Sequence, residues 1–294
     1  MTTGRILVGY DGSAGARTAA DWALNEAALA RTSVQFLYAY EWPLFTPAAP
    51  LVPSTSVWPD GETEWRVTTM LDEARAAAAI SHPSVRTTTA MVYGAAAAVL
   101  ADRSRQAGLI VVGSHGHGGW AGMLLGSVST AVAAHAHCPV VVVRGRAGPS
   151  DDARPIAVGV DGSACAELAL RFAFEQAAEH GVGLTAIRAC PPLGPPWNHI
   201  PAPDDATALD RAVLDDMIAV WREKFPAVPV TARVVADHPV PGLLAAADAA
   251  QLIVVGSRGH GRLSGPQLGS VSRQLIQHAR CPVAVIRDRA VQGP

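Results

Sequence analysis

The sequence predicts an α/β protein built from two tandem doubly wound domains, each a parallel sheet flanked by helices. Three observations carry that expectation. The chain has 294 residues, about two domains of ordinary size. Its segments recur once at a long, steady spacing. Within each copy, short apolar runs alternate with longer alanine-rich stretches, the pattern of parallel strands covered on both faces.

The recurrence is close in wording. R-I-L-V-G-Y-D-G-S-A (Arg5 to Ala14) returns as P-I-A-V-G-V-D-G-S-A (Pro155 to Ala164), 150 residues on. L-I-V-V-G-S-H-G-H-G (Leu109 to Gly118), L-G-S-V-S (Leu125 to Ser129) and H-A-H-C-P-V-V-V-V-R (His135 to Arg144) all return 143 residues on, from Leu252, Leu268 and His278. One long period met twice means duplication of a whole domain, not a solenoid of short units. The halves read as 1–146 and 155–294, joined by a polar, turn-rich linker at about 145–154.

In chain order, Ile6 to Tyr10 is a first strand, and Ser13 is a fitting N-cap for the alanine-rich helix that follows. A second strand is expected at Val34 to Tyr40, a proline-rich insertion at Glu41 to Gly61, and a helix near Glu62 to Ile80. Strands then follow at Val85 to Val92, Leu109 to Val112 and Val140 to Val143. The second half repeats the series at Ile156 to Val160, Leu184 to Ala189, Asp204 to Phe225 (the helix), Val230 to Val235, Leu252 to Val255 and Val283 to Ile286, with its insertion at Cys190 to Pro203. These insertions, which carry Trp42, Trp58 and Trp197, read equally as lids or contact surfaces and as plain loops.

Composition narrows the function. With 23 basic and 25 acidic residues and a net charge of −2, the chain lacks the electrostatic footprint of a nucleic-acid binder. Lys224 is its one lysine, which excludes a Walker-type phosphate loop. No apolar run reaches the roughly 18 residues needed to span a bilayer, so no membrane partner and a cytoplasmic location are expected. Cys138, Cys165, Cys190 and Cys281 lie far apart without a C-x-x-C pair, and read as buried thiols.

The chemistry is concentrated in two glycine loops. Gly113 and Gly116 are followed after nine residues by Gly126-Ser127-Val128-Ser129; Gly256 and Gly259 are followed after nine by Gly269-Ser270-Val271-Ser272. Glycines let backbone amides approach an anion, and the start of a helix offers unpaired amides at a positive dipole end. Phosphate is the fitting guest, with the serine hydroxyls as further donors. His115 and His117, and likewise His135 and His137 beside Cys138, suggest zinc, but the repeat puts Arg258 and Arg280 at positions 115 and 137, and arginine does not ligate metal. For His115, His117, Arg258 and His260 two readings stand: donors to phosphate, and solvated loop side chains.

Together with D-G-S after the first strand and C-P-V before the last, this G-x2-G-x9-G-S pattern resembles the universal stress protein family in its tandem form. The resemblance implies a five-stranded parallel sheet in each half, in the order 3-2-1-4-5, with ATP at the carboxyl ends of strands 1 and 4. It implies that Asp11 and Asp161 stand beside the ribose or a phosphate-bound Mg2+, that Val112, Val255, Ala39 and Ala189 line the adenine pocket, and that the last strands of the halves pair into an internal pseudo-dimer. A homodimer and an unidentified protein partner also belong to that picture. The expected role is an ATP-binding regulator of the stress response, a sensor with little or no hydrolysis, since no general base or nucleophile pair stands near the loops. The alternative is a non-catalytic scaffold for which nucleotide is incidental. A nucleotide α-hydrolase lacks support: neither its S-G-G-x-D-S loop nor its H-I-G-H pair is present. Met123 is matched by Pro266 and Trp120 by Leu263, and the proline, which lacks an N–H, leaves the second loop fewer amide donors and predicts a weaker second site.

Overall fold

The computed structural model describes residues 4–41, 61–116, 126–144, 153–191, 204–259 and 267–288. The first half runs β1 (Ile6–Gly9), α1 (Ala14–Leu29), β2 (Val34–Tyr40), α2 (Gly61–Ser81), β3 (Thr87–Tyr93), α3 (Ala96–Arg103), β4 (Leu109–Gly113), α4 (Ser127–His135) and β5 (Val140–Val143). The second repeats it as β6 (Ile156–Gly159), α5 (Ala164–His180), β7 (Leu184–Ala189), α6 (Asp204–Lys224), β8 (Val230–Val235), α7 (Pro239–Asp248), β9 (Leu252–Gly256), α8 (Ser270–His278) and β10 (Val283–Ile286).

Each half is a parallel sheet in the order 3-2-1-4-5, as the resemblance implied. The two sheets join edge to edge: β5 and β10 pair antiparallel, Val141 opposite Ala284, making one ten-stranded sheet. An apolar edge of this kind exposes a row of unpaired amides and carbonyls, and each half covers the other's. The alternation of side chains along the strands divides the core into two layers. Ile6, Val8, Phe36, Val111 and their repeats face α1, α2, α5 and α6; Leu7, Leu37, Ile110, Val112 and theirs face α3, α4, α7 and α8.

Local chemistry sets the ends of the elements. Ser13 and Ser163 accept the amides of Ala16 (3.1 Å) and Ala166 (3.2 Å), so both predicted N-caps form. α5 stops where Gly181 turns left-handed, at φ 65°. The third strand begins two residues later than expected, at Thr87: Val85 is buried, but in a turn, its amide donating to the carbonyl of His82 (3.0 Å). Its apolarity serves the core and not the ladder. The four cysteines are buried and form no disulfide, and among the described residues no helix is long and apolar enough to cross a membrane. The insertions, most of the linker and the residues at 117, 120, 123, 260, 263 and 266 lie outside the described residues.

Candidate functional site

Each half places a cavity at the carboxyl ends of its first and fourth strands, where the sheet order reverses and where α/β sheets bind ligands. The cavity of the first half measures about 710 Å3 and that of the second about 310 Å3. Both fall in the range of small-molecule sites.

The turn after β1 is built by Asp11, whose Oδ1 accepts the Ser13 amide at 2.9 Å, while Gly12 takes a φ of 79°. Asp161 and Gly162 (φ 89°) repeat it, with Ser163 at 2.9 Å. The side chain thus fixes the turn with one oxygen, and its carboxylate lines the cavity. The glycine loop meets the second oxygen. A Cβ on Gly116 would stand 2.5 Å from Asp11 Oδ2, and one on Gly259 would collide with Asp161 Oδ2. Gly113 lies against the α1 backbone at Gly15 (2.7 Å from an added Cβ), and Gly126 against the Ser114 carbonyl (2.9 Å). These glycines are required by contact between loop, aspartate and helix, and the same contacts bring the aspartate to the glycine loop.

Gly126 and Gly269 are the N-caps of α4 and α8 and make no side-chain cap. The first amides of each helix therefore look into the cavity without an intrahelical acceptor. All nine residues expected in each half come together on one wall system: Asp11, Ala39, Val112, Gly113, Gly116, Gly126, Ser127, Val128 and Ser129 in the first, and Asp161, Ala189, Val255, Gly256, Gly259, Gly269, Ser270, Val271 and Ser272 in the second. The serines divide in role. Ser129 and Ser272 are buried, and their hydroxyls donate to the carbonyls of Gly126 (2.9 Å) and Gly269 (3.0 Å). Ser127 and Ser270 are exposed at the helix starts and line the cavities. His115 lines the first cavity, its Nδ1 3.0 Å from Ser114 Oγ, and Arg258 lines the second.

Two parts of the site escaped the sequence reading. Leu100 of α3 and Leu243 of α7 form the floors, each within 3.1 Å of a Cβ added to Gly9 or Gly159; their identity across the repeat was the available signal. The second part is a difference between the halves. Arg66, Val67 and Met70 of α2 line the first cavity, whereas no described residue of α6 lines the second. In the second half Arg188 Nε instead pairs with Asp210 Oδ1 at 2.5 Å, both largely buried, and the Cys190 thiol donates to the same carboxylate. Burial alone would raise the Asp210 pKa; the hydrogen bonds from Cys190 and Arg188 and the Arg188 charge outweigh it and hold the group below the usual carboxylate range.

No group of three or more potential metal-ligating side chains occurs among the described residues. One carboxylate per cavity suits a Mg2+ that arrives with phosphate oxygens and keeps much of its water. Lys224 stands over the Trp221 ring, 4.6 Å from its centroid, in the packing of α6.

The sequence profile described as "Universal stress protein family" matches residues 2–144 and again 153–287. Universal stress protein Rv2623 of Mycobacterium tuberculosis is 36% identical over 287 residues, covering 96% of both chains. A universal stress protein of Mycolicibacterium smegmatis is 36% identical over 302 residues, covering 97% of both. Among solved structures, a universal stress protein from Archaeoglobus fulgidus superposes with a TM-score of 0.70 at 20% identity, over 96% of each chain, a likeness of fold.

Proposed function

The chain belongs to the universal stress protein family, and we propose that within it this protein is a regulator that binds one ATP-like nucleotide in each half and uses it as a ligand, not a substrate. The observation that carries this reading is the contact between the strand-1 aspartate and the glycine loop, made in both halves beside the uncapped start of a helix. An adenine would lie on the apolar side, against Ala39, Val112 and Leu100 or against Ala189, Val255 and Leu243. The phosphates would meet the loop amides, the starts of α4 and α8, and Ser127 or Ser270. Asp11 and Asp161 would take a ribose hydroxyl, or a magnesium held mainly by the phosphates.

The lining supports binding more than turnover. The one lysine is engaged with Trp221, and the serine that His115 meets, Ser114, is buried and stands outside the described cavity lining. Nucleotide then acts by favouring the conformation or partner surface that holds it best. Calorimetric titration of nucleotide-stripped protein with Mg-ATP tests the reading. Saturable binding with turnover well under about 1 per second agrees with it. Ordinary enzymatic turnover overturns the ligand role, and absence of binding leaves the scaffold.

A further inference from the structure

The first cavity is more than twice the volume of the second, and the extra space has an identifiable origin. It lies on the α1–α2 side of the sheet, between Tyr10, Tyr38, Arg66, Val67 and Met70. The halves can be matched here residue by residue, because Val34 pairs with Thr87 as Leu184 pairs with Val230, and α2 and α6 are both 21 residues long. Tyr38 then corresponds to Arg188 and Val67 to Asp210. In the second half the same positions hold the Arg188–Asp210 ion pair, tied to Cys190, and neither residue lines the cavity.

We infer that the first half takes a dinucleotide, two bases joined through phosphates, with its second base in this lobe, while the second half takes a mononucleotide alone. The inference rests on the nucleotide reading above. The lobe offers what a base needs. Val67 and Met70 give an apolar surface, the tyrosine rings give faces for stacking, and Arg66 gives a planar cation suited to a base or a bridging phosphate. Tyr10 is 8% exposed and braced by Phe36, ring centroids 5.5 Å apart, so it is held rigidly. The tyrosine hydroxyls are protonated at neutral pH and can donate, and burial pushes both pKa values further up. Asp11 lines the same cavity as both tyrosines, where the linking phosphates or ribose would pass. In the second half Val160 replaces Tyr10, and Leu209, at the position of Arg66, is 68% exposed and does not line the cavity.

The test compares ATP and diadenosine tetraphosphate as calorimetric titrants of the full chain. Stacking of one base on aromatic side chains is worth about tenfold in affinity or more. The expected result is that one site per chain binds the dinucleotide at least tenfold more tightly than either site binds ATP. Y38R combined with V67D copies the second half's ion pair into the first and should bring that ratio near one. M70W fills the lobe without charge and should do the same, which guards against a folding defect in the first variant. Equal affinity for the two titrants, or a preference that survives both variants, overturns the inference and leaves the nucleotide reading standing. Binding of neither titrant overturns both.

Discussion

The sharpest consequence of the aspartate–glycine contact is the effect of one methyl group at Gly116. In Gly116→Ala the new Cβ would stand 2.5 Å from Asp11 Oδ2, where ordinary contact begins at 3.4 Å. The loop is hemmed in, with Gly113 against the α1 backbone and Gly126 against Ser114, so the carboxylate must retreat by most of an ångström. Its other oxygen holds the Ser13 amide at 2.9 Å. Losing that bond costs about 1 kcal/mol of stability, a modest effect. The effect on binding should be larger. A hydrogen bond to a charged carboxylate contributes about 1.5–3 kcal/mol, so withdrawing it from a ligand weakens Kd by about 10- to 150-fold. The assay is calorimetry with Mg-ATP in a Gly259→Val background, which leaves the first site alone to be read. A Kd within twofold of the parent, in a variant that unfolds at nearly the parental midpoint, would refute the placement of Asp11 at the ligand.

Burial pushes the Cys281 thiol up to about 12, so maleimide at pH 8 should leave it unlabelled in the native protein and label it on unfolding; rapid native labelling of Cys281, located by peptide mass, would contradict this. His180 of α5 and Glu26 of α1 meet across the halves at 2.7 Å, and Glu26 is 4% exposed. Glu26→Ala should cost about 1.5–3 kcal/mol, and a double-mutant cycle with His180→Ala in urea should show coupling, whereas additive losses would deny the contact a role. Glu179 is raised, first by burial and further by Glu26 and Glu175. The folded state therefore binds more protons than the unfolded one between the ordinary glutamate value and the raised one, and stability falls as pH rises through that window. Glu179→Gln should flatten the slope of the urea midpoint against pH; an unchanged slope would count against it.

Much of this was legible because the strands are short runs buried on both faces, where apolarity alone marks them. Leu109 to Val112 and Leu252 to Val255 needed no further information. Apolarity misled only where it had another cause, as at Val85, which buries its side chain from a turn. The glycine loops were legible as phosphate sites through their spacing, but the steric reason for Gly116 and Gly259, contact with an aspartate about a hundred residues earlier in the same half, exists only in three dimensions. Ser129 and Ser272 read as phosphate donors because sequence cannot tell an exposed hydroxyl from one turned back on its own loop. The floors at Leu100 and Leu243 were hidden because alanine-rich helices give no sign of which residue faces a ligand. The asymmetry between the sites was expected from Pro266, outside the described residues. The described asymmetry comes from Tyr38 and Val67 against Arg188 and Asp210, a pairing that no local pattern marks because strand and helix lie over twenty residues apart.

The central claim, one nucleotide held in each half between an aspartate and a glycine loop, is tested most directly by counting bound ATP. Equilibrium dialysis of nucleotide-stripped protein against labelled Mg-ATP should give two per chain, one in Gly116→Val, one in Gly259→Val, and none in the double variant. A count of two that persists in the double variant would place the nucleotide elsewhere, and a count of zero in the parent would remove it from the account.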